Sequence, residues 1–162
     1  MAFEYYYRLS KRNQREYERS DSYDAIELSM PLWIRPLVDP LQTALVDEEH
    51  ARVQQASSDL VNAITEDLNV NPVLVIVKST RPVSDAEELH GLYEPANEDS
   101  DAVITVWMRT ARRNQVVAFR TFLRTLLHEL CHHLDYELLE LEESFHTEGF
   151  FLRESSLVQQ IT

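Results

Sequence analysis

Leu126-Leu127-His128-Glu129-Leu130-Cys131-His132-His133-Leu134 is the stretch that decides how this chain is read. Its leucines recur at three- and four-residue intervals, as on the apolar face of a buried helix. On such a helix His128 and His132 are one turn apart and project from one stripe. Two imidazoles so placed can grip one metal ion. Glu129 lies about 100° further round, at 3.6 residues per turn. From there it reaches a water on the metal more readily than the metal itself. This is the H-E-x-x-H pattern, whose neutral nitrogens suit zinc. Zinc makes its water acidic near neutral pH, and a carboxylate base assists the proton's departure.

A catalytic zinc keeps three protein ligands and one open position. The favoured third ligand is His146. The acidic turn from Glu140 to Ser144 can reverse the chain and carry His146 back over the helix. Glu148 and Glu154 are the competing ligands, and Glu142 and Glu143 suit the role less well. Asp135, one turn beyond His132, reads either as an outer support for a ligating imidazole or as an exposed carboxylate.

Working outward, the helical pattern covers residues 114 to 139 and resumes from Thr147 to Gln160. Three strands precede it. Val73 to Val77 is a continuous β-branched run, Leu89 to Tyr93 is short, and Val103 to Met108 is strongly apolar. A helix spans residues 43 to 68, with Asp47, Glu48 and Glu49 in its first turns and Asn69 and Asn71-Pro72 ending it. Pro31, Pro36 and Pro40 break residues 29–41 into an ordered connector. Residues 1–24 form an aromatic and then charged arm or short helix. The expected fold is α+β: a small mixed sheet of about three strands flanked by helices, with the metal on a long helix. Residues 1–42 read as arm and connector, and residues 43–162 as the domain.

The paired motifs, His128 to His132 and Ser144-Phe145-His146-Thr147-Glu148-Gly149-Phe150-Phe151, resemble the SprT-like and WLM group of zinc metallopeptidases. The resemblance extends over roughly Val73 to Ile161. It implies a minimal zincin-like fold that hydrolyses peptide bonds. It also implies one zinc ion on His128, His132 and His146, with Glu129 as general base and a peptide or protein as substrate. In zincins the strand before the metal helix often runs along the cleft as an exposed edge, and Val103 to Met108 is expected there. A second class stays open: a zinc-binding regulatory or interaction module with little turnover, for which the N-terminal arm is a docking or autoinhibitory segment.

Other residues carry plainer readings. Cys131 is expected in the core, and His133 has no catalytic task. His50 and His90 are expected at the surface. Trp107 and Tyr93 fill the core or the cleft wall. Tyr93, Tyr136 and Arg124 are the candidates to steady a developing oxyanion.

The chain has 162 residues, 44% of them hydrophobic and 27% charged, which suits one globular domain. Its net charge of −13 disfavours nucleic acid as a partner. That charge is unevenly spread. No acidic residue lies between Ala102 and His128, where Arg109, Arg112, Arg113, Arg120 and Arg124 cluster; eight acids follow from Glu129 onward. The two segments are expected to neutralise each other, with a basic rim beside the cleft as the sharper alternative. One cysteine excludes an internal disulfide. With no leader and no membrane span, a cytoplasmic protein is expected.

Overall fold

Strand β1 is Leu74–Thr80, β2 is Gly91–Glu94 and β3 is Val103–Arg109. They lie in the order β1-β3-β2, with β3 parallel to β1 and antiparallel to β2. This computed structural model describes residues 2–82 and 91–162. Leu89 and His90, expected to open the second strand, lie outside the described residues.

The central position of β3 corrects the expectation that it is an exposed edge beside the cleft. It is paired on both sides, and Ile104, Thr105, Val106, Trp107 and Met108 are all buried. An uninterrupted apolar run belongs in the middle of a sheet because both of its faces are covered. The edge beside the site is β2, which among the described residues pairs with β3 alone.

The helices are α1 (Lys11–Asp21), α2 (Pro31–Ile34), α3 (Val38–Val46), α4 (His50–Asp67), α5 (Phe119–Glu137) and α6 (Glu148–Ile161). Short 3-10 turns lie at Glu4–Arg8 and Arg35–Leu37. Three boundaries differ from the sequence pattern. The helix expected over 43–68 is two helices. Between them Glu48 takes a left-handed φ of 55°, and no glycine or proline marks the place. The proline-rich connector is helical, because Pro31, Pro36 and Pro40 fall in first turns, where a missing N–H leaves no bond unmade. Residues 114–118 stay outside α5. Val116 bridges to Arg109, and Val117 donates to the Met108 carbonyl at 2.8 Å, so this segment extends the sheet before the helix begins.

Helix α5 packs against β2, β3 and α6, while α4 packs against β1. Leu126, Leu127, Leu130 and Leu134 of α5 are fully buried. The same cluster takes in Ile26, Leu28, Ile34, Val38 and Leu41 from the first part of the chain, so the core is continuous across position 42, which lies within α3. Among the described residues no helix is long and apolar enough to cross a membrane.

Candidate metal centre

Helix α5 ends in a sharp reversal. Leu139 N–H donates to the Leu134 carbonyl and Leu141 N–H to the Asp135 carbonyl, and Glu140 adopts a left-handed φ of 53°. The chain then runs back to Thr147, which caps α6 by accepting from Phe150 N–H at 2.9 Å. This return brings His146 over the face of α5 that carries His128 and His132. The Nε2 of His146 lies 3.2 Å from that of His128 and 3.0 Å from that of His132. These three residues form a group able to hold a metal ion.

The hydrogen bonds behind the rings fix which nitrogens converge. Ser144 Oγ–H donates to Asp135 at 2.7 Å, so its oxygen accepts from His132 Nδ1–H at 2.6 Å. The Glu154 carboxylate accepts from His128 Nδ1–H at 2.7 Å. In its neutral form each ring therefore presents a bare Nε2 lone pair to the centre. With the rings neutral, His146 has at most one proton to share between two contacts. Lone pairs this close are left in mutual repulsion unless a cation joins them. Burial, with the neighbouring imidazoles next, lowers His132 to about 3, so a proton is a poor occupant. The donor set fits a tetrahedral zinc, whose nitrogen ligands at 2.0–2.1 Å stand about 3.3 Å apart.

Glu154 lies behind His128 and is held on its other side by Arg124 at 2.8 Å. Glu148 is exposed at the first position of α6. Glu142 is drawn to the surface by Arg12. Asp135 is fully buried and faces Arg153 at 3.0 Å, so it acts on His132 through Ser144 and is no exposed carboxylate.

Glu129 lines the same cavity, a hollow of about 290 Å³ that also takes in Gly91, Leu92, Tyr136 and Ser144. It is only 7% exposed. Burial raises its carboxyl to about 7, opposed by His128 and reinforced by Glu154. Gly91 explains the close approach of β2, since a Cβ there would stand 2.9 Å from Glu129 Cγ.

No family model, no curated protein and no solved structure matches this chain. The chemistry therefore rests on the geometry of this site alone.

Other expectations resolve on particular atoms. Cys131 is buried in the core. His133 is fully buried; its Nε2–H donates to the Asn71 carbonyl at 2.7 Å, and its Nδ1 accepts the Tyr93 hydroxyl at 2.9 Å. Tyr93 is thus a cavity wall, stacked on His132 and Tyr136, with its hydroxyl turned to His133 rather than offered to an oxyanion. Arg124 binds Glu154 and Arg109 binds Glu48, while Arg112, Arg113 and Arg120 are exposed. Arg124–Glu154 joins the basic and acidic segments across the fold. Sequence reasoning missed Ser144 and Arg153 altogether. Their roles follow from contacts 9 and 18 residues from Asp135, which no local spacing encodes.

Proposed function

We propose that this protein is a zinc-dependent metallopeptidase with a minimal zincin-like domain, in which Glu129 is the general base. The observation that carries this is the convergence of three imidazole Nε2 atoms, 3.0 and 3.2 Å apart, at the rim of the cavity that holds the Glu129 carboxyl. Zinc held by His128, His132 and His146 would acidify a water and polarise the scissile carbonyl.

The protein's own groups do the rest. Glu129, buried at the wall of the same cavity, takes the proton of the attacking water and delivers it to the leaving amine. Glu154 and Ser144 hold His128 and His132 in the tautomers that bind metal. The edge of β2 that is unpaired among the described residues and the Tyr93 wall bound the space in which an extended peptide lies.

Zinc content and cleavage of an unfolded protein, measured for wild type and Glu129→Gln, test this reading. Expected is one zinc per chain in both, with cleavage in the variant reduced about 10²–10⁴-fold. Wild type that holds zinc and cleaves nothing in a broad peptide library overturns the enzyme reading and leaves a zinc-binding regulatory module. Unchanged zinc content in His128→Ala overturns the metal reading.

A further inference from the structure

The third ligand is the least secured of the three by its own element. His128 and His132 are held by α5, whereas His146 lies on the return segment from Leu138 to Thr147, outside any helix or strand. Beyond its bonds to α5, that segment is held by residues from the first part of the chain. The Tyr5 hydroxyl donates to the His146 carbonyl at 2.8 Å, and the Tyr5 and Tyr17 rings pack on Phe145. Arg19 donates to the carbonyls of Leu139 and Glu140, and Glu16 accepts from Glu142 N–H.

The same stretch also reaches the root of α6. Ser20 Oγ meets Thr147 Oγ1 at 3.1 Å in the interior, and Asp21 accepts from Gly149 N–H at 2.8 Å. Gly149 is a glycine for this contact, because a Cβ there would come within 2.7 Å of the Asp21 carbonyl and 2.8 Å of that of Tyr23. One further connection reaches His132. The carbonyls of Ser20 and Tyr23 accept from Arg153, which holds Asp135, which holds Ser144, which holds His132. None of the residues lining the cavity comes from this stretch, so it is not a plug in the site.

We propose that residues 3–23 are a positioning clasp of the metal centre, which sets His146 and orients His132, so that zinc binding and docking of this segment are coupled. The proposal rests on the zinc reading above. Coupling is reciprocal: whatever the clasp contributes to zinc affinity, zinc returns to the clasp.

The test uses the full chain. Tyr5→Phe removes one hydroxyl and keeps the ring. Gly149→Ala forces the α6 root and the clasp backbone apart. Zinc affinity is read by competition with a chelator, and amide hydrogen exchange over residues 3–21 is read with and without zinc. Both variants are expected to bind zinc about fivefold or more weakly, and zinc is expected to slow exchange across residues 3–21 of the wild type. Unchanged affinity in either variant, or exchange indifferent to zinc, overturns the clasp while leaving the metal centre intact if His128→Ala still abolishes binding. Loss of zinc dependence on every count, with His128→Ala binding like wild type, overturns both.

Discussion

Glu129 and His132 differ in what burial does to them. Burial penalises whichever form is charged. It therefore raises the Glu129 carboxyl from its ordinary 4.5 to about 7 and lowers the His132 imidazole to about 3. Both shifts favour a neutral site in the metal-free protein, which a cation would reverse for the carboxylate. The sign can be read in stability. Between 4.5 and about 7 native Glu129 keeps a proton that the unfolded chain has released. Stability of the metal-free protein from this group is thus lost as pH rises through that window. Glutamine has no such proton. Relative to wild type, metal-free Glu129→Gln is expected to gain stability between pH 5 and pH 8, read as urea midpoints in the presence of a chelator. A gap between the two proteins that is the same at both values counts against a buried, proton-holding carboxyl.

At the scale of elements, the site is the meeting of α5, the reversal after it, the start of α6 and the edge strand β2. The sequence pattern placed α6 to within a residue at each end and α5 apart from its start, whereas the geometry of the reversal and the place of β2 at the site were not legible. His128, Glu129 and His132 share one helix, where position along the chain dictates position in space. His146 was within reach because an acidic, glycine-free turn separates it from α5, yet its arrival over His128 depends on the left-handed Glu140, which no residue preference announces. The order of strands was not legible, although the unbroken apolar run of β3 carried the clue to its central place.

Strand β2 contributes by coming close. Gly91 stands against Glu129 and Thr125 with no room for a methyl group: the added Cβ would meet Glu129 Cγ at 2.9 Å and Thr125 Cγ2 at 3.0 Å. Gly91→Ala is expected to push the Glu129 carboxyl aside while leaving the histidines in place. A displacement of about 1 Å lowers turnover on the order of 10²-fold. Zinc stoichiometry should stay at the wild-type level while kcat falls. Wild-type kcat in this variant would show that β2 does not set the position of the base.

For the whole molecule, the buried ion pair Arg153–Asp135 is where the parts are joined. Both side chains have zero exposure. Arg153 lies on α6, Asp135 on α5, and the other acceptors of Arg153 are Ser20 and the Tyr23 carbonyl from the first part of the chain. Asp135 in turn reaches His132 through Ser144. A buried pair is no guarantee of net stability, since desolvation offsets much of the attraction. Removing one partner is different, because it strands the other charge in the interior. Arg153→Met is expected to lose about 3–5 kcal/mol in urea denaturation. It should also bind zinc more weakly, since Asp135, without Arg153 on its other oxygen, is no longer fixed where it meets Ser144. Replacing both, as Arg153→Met with Asp135→Leu, removes the stranded carboxylate and should recover part of the stability. It should not recover the zinc affinity, because nothing then holds Ser144 against His132. Stability and metal affinity would therefore part company in the double variant. If they recover together, Asp135 serves the fold alone and the connection from the first part of the chain to His132 carries no metal affinity.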